Sequence, residues 1–315
     1  MKPVLKTNNV VLISFARDLL AQSGIDSIVF DENASVMDGS LGMLPRRLMV
    51  ADEDFAKGAA LLKDELANAG GAAPAAREIS EDRFLNGRIL VRQFKGGFRA
   101  GLDAVMLAAA VPARGADAVL ELGSGAGTAS LCLAARVDGV RVTGAEIDSE
   151  LVGLANANAT ANGMGDRVVF VTVDVLDLPP DMKHDYDHVL CNPPFHAQSG
   201  ERSPDAERAR ATHDEGDLGN WLAVGVKRTA SGGTFTAILR ADRLAEALAA
   251  LPATGVSVLP LYPRAGEPAK RVIVQVAKGS RAPLAMLHGL VLHAADGRYT
   301  DAADAVLRGQ RGLLL

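Results

Sequence analysis

The 315-residue chain has two cysteines, one tryptophan and three tyrosines, and aromatics make up only 4% of it. Two cysteines are too few for a disulfide scaffold. Cys132 and Cys191 both sit in apolar runs and read as buried, reduced thiols, and no metal is expected. With few aromatics and many alanines and glycines, helices should pack closely. A basic excess is also missing. The formal net charge of −5 excludes a generally basic nucleic-acid surface, so contact with RNA or DNA needs a local patch. No apolar run approaches the ~20 residues that cross a bilayer. Met1-Lys2-Pro3 opens onto strand-like alternation rather than an apolar leader. A soluble cytoplasmic protein without membrane contact is expected. What remains is ordinary for a globular chain: 48% apolar, 23% charged, and a length above one average domain and below three.

The first part reads as a small α+β unit of order βαββα, ferredoxin-like in outline. Val4-Leu5-Lys6-Thr7, Ser27-Ile28-Val29-Phe30 and Arg47-Leu48-Met49-Val50 are its strands. Val10, Leu12, Ile13, Ala16, Leu19 and Leu20 recur at helical spacing after a cap at Asn8 or Asn9, and Gly24 stops that helix. Asp52 is the expected cap of a second helix carrying Phe55, Leu62 and Leu66. Residues 69–76 hold only alanine, glycine and proline, which marks a linker. The expected divisions are a domain over 1–68, a linker over 69–78 and a larger domain over 79–315.

In the larger domain short apolar strands alternate with helices. Val119-Leu120-Glu121-Leu122, then residues 140–145, 168–171, 188–191, 233–239, 256–259 and 271–276, read as strands, with a helix over 149–162. This predicts a Rossmann-like, mostly parallel sheet of seven strands with helices on both faces. The last two strands are close enough to form an antiparallel hairpin.

Gly123, Gly125 and Gly127 follow the first of these strands, within Glu121-Leu122-Gly123-Ser124-Gly125-Ala126-Gly127. Such a turn lets backbone approach a ligand closely. Thr128 stands where a dinucleotide fingerprint needs its third glycine, and no Lys-Ser or Lys-Thr follows to make a phosphate loop. The segment resembles the first motif of class I S-adenosylmethionine-dependent methyltransferases. The resemblance implies that the loop, Ser124 included, packs on the amino-acid part of the cofactor, with Glu121 near its ammonium. Glu146 after the second strand, followed by Ile147, is similar to the family's ribose site. Asp174 and Val175 after the third strand are similar to its adenine site. Either acid alone is as well explained as a helix or turn cap. All the features fall in order at the ends of successive strands, which favours the cofactor.

Asn192-Pro193-Pro194-Phe195 ends the fourth strand. Two prolines there can make a stiff turn. The motif also resembles that of methyltransferases acting on amines conjugated to a π system, such as adenine N6, guanine N2 or a glutamine amide. The resemblance implies a catalytic motif of Asn192, Pro193, Pro194 and Phe195, in which Asn192 and the Pro193 carbonyl accept the two amine protons and Phe195 stacks on the planar target. It calls for no strong general base, so His196 and His213 read as loop histidines.

The stretch Gly96-Gly97-Phe98-Arg99-Ala100-Gly101-Leu102-Asp103-Ala104-Val105-Met106-Leu107, with Asn192-Pro193-Pro194-Phe195 and Lys270-Arg271-Val272-Ile273-Val274-Gln275, narrows the likeness further. Residues 81–315 resemble bacterial tRNA(Val) adenine-N6 methyltransferases. That likeness implies methylation of adenine N6 in tRNA, with Arg99 and Asp103 near the cofactor; a helix N-cap is the other reading of Asp103. A glutamine-amide methyltransferase of a translation protein and an rRNA guanine-N2 methyltransferase are the competing enzymes. A cofactor sensor is the non-enzymatic alternative. Arg83, Arg88, Arg92, Lys95 and Arg99 have no acid among them, and read as a local patch for RNA. Arg202, Arg208 and Arg210 in the 197–215 loop are diluted by Glu201, Asp205 and Glu207.

Residues 1–66 resemble a small bacterial family known only as signal-transducing proteins. The likeness lies in Leu5-Lys6-Thr7-Asn8, Asp31-Glu32-Asn33-Ala34-Ser35-Val36 and Leu44-Pro45-Arg46-Arg47-Leu48-Met49-Val50. It implies a regulatory or recruiting module with a protein partner, in which Arg46-Arg47 meets an acidic surface or only keeps a strand edge soluble.

Overall fold

The computed structural model describes residues 1–7, 13, 16, 17, 19, 20, 23–30, 46–68, 77–96, 99–194 and 218–315. Phe195, His196, His213 and the arginines of the 197–215 loop lie outside the described residues. So do Asn8, Asn9, Val10, Leu12, Gly97, Phe98, residues 31–45 and the 69–76 stretch. The chain divides into two compact units, Met1–Ala76 and Arg77–Leu315.

In the first unit strands β1 (Lys2–Thr7), β2 (Ser27–Phe30) and β3 (Arg46–Val50) form an antiparallel sheet of order β1-β3-β2. Ile13, Ala16, Leu19 and Leu20 are helical between β1 and β2, and α1 (Phe55–Asn68) follows β3. Ala16, Leu20, Ile25, Leu48, Val50 and Leu62 make the core. Gly24 ends the first helix as its sequence position predicts. It adopts φ +72°, and the Ile25 N–H closes back on the Leu20 carbonyl at 2.9 Å. Asp52 does not cap α1. Its carboxylate pairs with the terminal amino group at 2.9 Å, and the Asp54 carbonyl takes the first helical bond, from Gly58.

The second unit begins with a two-stranded hairpin, β4 (Ile79–Phe84) and β5 (Ile89–Phe94), a pairing not read from the sequence. There follow α2 (Leu102–Ala110), β6 (Ala118–Leu122), α3 (Thr128–Arg136), β7 (Arg141–Glu146), α4 (Ser149–Ala161), β8 (Val168–Thr172) and β9 (Tyr186–Cys191). Then come α5 (Leu218–Arg228), β10 (Thr229–Arg240), α6 (Leu244–Ala250), β11 (Val256–Arg264) and β12 (Arg271–Ala277). The unit closes with β13 (Ala285–Met286), β14 (Leu290–His293) and α7 (Asp301–Leu307). Strands β8-β7-β6-β9-β10 run parallel. Strand β12 inserts antiparallel between β10 and β11. The expected seven strands are therefore present, and β13 and β14 extend the β11 edge to nine.

Alternation along the strands sorts apolar side chains onto two faces. Val119, Leu190 and Ile273 join one core, with Met106 and Leu107 of α2 and Leu131 and Leu133 of α3. Leu120, Leu122, Val189, Cys191, Val272 and Val274 join the other, with Leu218 and Leu222 of α5. Each fully buried leucine contributes about 1.5–3 kcal/mol, so both faces must be covered by helices. Cys132 and Cys191 are buried and free, as expected, and burial pushes the Cys132 thiol up to about 12. No described helix is long and apolar enough to cross a membrane. After β6 the chain moves out through β7 and β8, then returns to β9 on the other side of β6. That reversal opens a crevice at the C-terminal ends of β6 and β9.

Candidate active site

The three glycines after β6 all take the left-handed backbone, with φ of +69°, +53° and +84° at Gly123, Gly125 and Gly127. A Cβ at Gly123 would meet the Trp221 ring at 2.9 Å, and one at Gly127 would meet Phe170 at 2.5 Å. A Cβ at Gly125 would meet nothing within 4 Å, so this glycine alone faces open space. The turn is tied to the end of β7: the N–H groups of Gly123 and Ser124 both donate to the Ala145 carbonyl, at 2.8 and 3.1 Å.

Glu146 ends β7, half-buried. One carboxylate oxygen accepts the Gly125 N–H at 2.8 Å and the other accepts that of Asp148 at 3.1 Å. Capping of α4 falls to Asp148, which accepts from Glu150 and Leu151. Glu146 is thus set across the glycine turn, with Ile147 beside it 54% exposed. Asp174 accepts the Leu176 N–H at 2.9 Å, which is a turn-capping contact, and the Val175 side chain is buried.

Glu121 is only 3% exposed. Its carboxyl accepts the Ser130 N–H at 3.0 Å and pairs closely with the Ser130 hydroxyl. Gly127, the N-cap of α3, has no side chain to offer, and Glu121 fills that role from the neighbouring strand. Burial pushes its carboxyl up to about 8, against the opposing pull of the Ser130 bonds.

Asn192 follows β9 immediately. The pairing of Leu122 with Cys191 sets it beside Gly123 on adjacent strands. Its Oδ1 is buried and has no hydrogen-bond partner among the described residues; the same holds for Ser124 Oγ and Thr128 Oγ1. A buried polar atom left unpaired costs about 1–3 kcal/mol, and such atoms are rare. Three around one glycine turn, with open space at Gly125, fit a polar ligand lying across this end of the sheet. Pro193 is buried and Pro194 exposed.

The basic segment before α2 is not an open patch. The hairpin register sets Arg92 directly opposite Glu81, where they pair at 3.0 Å. Lys95 pairs with Glu78 at 2.9 Å, and Arg99 with Asp82 at 2.8 Å. Arg88 donates to the Ala135 carbonyl at 2.5 Å. The acids lie just upstream of the run, and folding back the hairpin delivers them to it. Asp103 is not the N-cap of α2, a position held by Gly101; it pairs with Arg271 of β12 at 2.8 Å. Trp221, Phe170 and Ser130 did not stand out in the sequence. Trp221 is the chain's one tryptophan, the only signal it offered. Among the described residues no group of His, Cys, Asp and Glu could hold a metal.

Residues 100–210 match the family model described as methyltransferase small domain, and residues 1–65 that described as "Putative prokaryotic signal transducing protein". A solved structure, a "predicted O-methyltransferase", protein Atu636 from Agrobacterium tumefaciens, superposes with a TM-score of 0.57 at 26% identity, covering 68% of this chain and 99% of that one. The second unit is a class I methyltransferase that uses S-adenosylmethionine. Its relatives narrow the class. The tRNA1(Val) (adenine(37)-N6)-methyltransferase of Aeromonas hydrophila is 30% identical over 210 residues, which are 64% of this chain and 86% of the relative. Proteins of the same name from an Enterobacter species and Porphyromonas gingivalis are 28% and 36% identical. The chain spans 66% and 48% of their respective lengths, and they cover 51% and 37% of it. The chain belongs to the family of tRNA1(Val) (adenine(37)-N6)-methyltransferases.

Proposed function

We propose that this protein methylates the N6 amine of an adenine in tRNA, and that the crevice at β6 and β9 is where it does so. The observation that carries the reading is the buried Asn192 Oδ1 beside the glycine turn, without a partner among the described residues. When bound there, S-adenosylmethionine supplies an electrophilic methyl on a sulfonium. Gly123, Ser124, Gly125 and Gly127 would carry its amino-acid end, Glu146 its ribose hydroxyls, and Ile147, Asp174 and Val175 its adenine. Glu121 supports that turn through Ser130. Arg99, paired with Asp82, and Asp103, paired with Arg271, would hold the start of α2 near the cofactor.

An adenine N6 amine is a poor nucleophile because its lone pair is delocalised into the ring. Asn192 Oδ1 and the Pro193 carbonyl would accept its two N–H bonds. That would fix the nitrogen in line with the methyl and favour a pyramidal geometry, and the motif's Phe195 would stack on the base. Methyl transfer to the nitrogen would leave the amine one proton to lose to solvent. The family's shared name, and an acceptor set suited to an –NH2 group, favour adenine over a hydroxyl substrate.

Asn192→Ala should lower kcat at least a hundredfold while cofactor affinity stays within about threefold. Nucleoside mass spectrometry of total tRNA, after incubation with labelled cofactor, checks both product and loss. Label found only in protein would overturn the tRNA reading. The first unit, in this reading, is a separate regulatory or recruiting module with a protein partner.

A further inference from the structure

Four side-chain amides in the second unit each grip the backbone of one residue through both its N–H and its C=O. Asn156 holds Phe170 of β8, at 3.0 and 2.9 Å. Asn162 holds Leu90 of β5, at 3.0 and 2.7 Å. Asn158, 1% exposed, holds Arg92 of β5, at 2.9 Å for both bonds. Gln93, 2% exposed, holds Ala100, at 2.8 and 3.1 Å. Each amide stands in for a missing neighbouring strand, because both its donor and its acceptor are used as backbone would use them.

Asn158 differs from the other two asparagines. Asn156 and Asn162 give their second N–H to their own helix, at the Val152 and Asn158 carbonyls. Asn158 sends its own out of the helix, to the Ala126 carbonyl at 3.0 Å, between Gly125 and Gly127. Gln93, the residue after Arg92, also donates to Asp82 at 2.9 Å, and Asp82 holds Arg99. Ala100 leads into α2, whose Asp103 meets Arg271; Arg271 pairs in register with Arg240 at the C-terminal end of β10. Two consecutive residues of β5 therefore connect the glycine turn to the segment above β10.

We infer that the β4–β5 hairpin is a bracket that sets the spacing of the cofactor crevice, with Asn158 and Gln93 as positioning residues for cofactor binding. The inference rests on the reading of the glycine turn as the cofactor site. Asn158 fixes the plane of the Ala126 peptide, and so the backbone of the glycines on either side. Gln93 fixes the Ala100 backbone that leads into α2. Neither side chain needs to touch the ligand, and both are buried.

The control is built into α4. Asn162→Ala removes the same two-point grip one turn further on, without touching the glycine turn. Asn158→Ala should raise the Kd and KM for S-adenosylmethionine about tenfold, the scale of one lost buried hydrogen bond, with kcat at saturating cofactor and tRNA within threefold. Gln93→Ala should show the same split. Asn162→Ala should lower the melting temperature with Kd changed less than twofold. Calorimetric titration of the full-length protein with S-adenosylmethionine reads Kd without needing the tRNA substrate. If Asn158→Ala is recovered only as aggregate, Asn158→Ser, which is too short to reach Ala126, carries the test. Unchanged Kd in the Asn158 variants, or equal weakening by Asn162→Ala, overturns the bracket alone. A parent protein that does not bind S-adenosylmethionine overturns the site reading with it.

Discussion

Glu121 shows how one buried acid ties stability to pH. Its carboxyl would sit near 4.5 in the unfolded chain and is pushed up to about 8 in the folded one, chiefly by desolvation. Between those values the folded state binds more protons. Stability from this group is therefore full below about 4.5, falls as pH rises toward 8, and is flat above it. Glu121→Gln keeps an acceptor for the Ser130 N–H and cannot ionise. Cofactor-free Glu121→Gln should gain melting temperature relative to the parent as pH is raised from about 5 to about 8.5. Two curves that stay parallel across that range would show that the carboxyl is not desolvated as described. Asn192 is the complementary case: its polar atom is buried without a partner among the described residues, so its loss should cost catalysis more than stability.

At the scale of elements, the hairpin redirects the charge argument. Arg92 and Lys95 read as an RNA patch along the sequence, but face Glu81 and Glu78 across the strands. Exposed pairs of this kind contribute about 0–1 kcal/mol each to stability, so their consequence is electrostatic cancellation. Arg92→Ala with Lys95→Ala should change tRNA affinity less than about threefold at ~0.15 M salt, and leave the salt slope nearly unchanged. A slope that falls by close to two would mean that both cations contact phosphate. The glycine turn behaves differently, because its conformation is written into single residues. Positive φ at Gly123, Gly125 and Gly127, together with the rings of Trp221 and Phe170, leaves no room for other residue types at the outer two.

At the scale of the molecule, the two units differ in what holds them together. Among the described residues the first has a core of six buried side chains, and the second has two extensive cores on the faces of one sheet. Arg77 belongs to the second unit: its guanidinium lies 3.9 Å from the Phe94 ring and pairs with Glu150 at 3.2 Å and Asp148 at 3.6 Å. A protein beginning at Arg77 should fold cooperatively and bind S-adenosylmethionine within about twofold of the full chain, by calorimetric titration. Loss of binding would show that the first unit completes the cofactor site.

The strands of the large sheet, the glycine turn and the Asn192-Pro193-Pro194 element were legible because each depends on local rules. Alternation of apolar residues has a period of two, left-handed backbone needs glycine, and prolines stiffen a strand end. What only the tertiary structure decided are contacts between residues far apart in the chain. Asp103 meets Arg271 across 168 positions, and Asn158 meets Arg92 across 66. No periodicity records which acid a hairpin will bring to a basic run, or which asparagine will leave its helix to hold a loop. Those outcomes follow from packing two layers of helices on one twisted sheet. That packing also makes Glu121 the cap of the helix that follows the glycine turn.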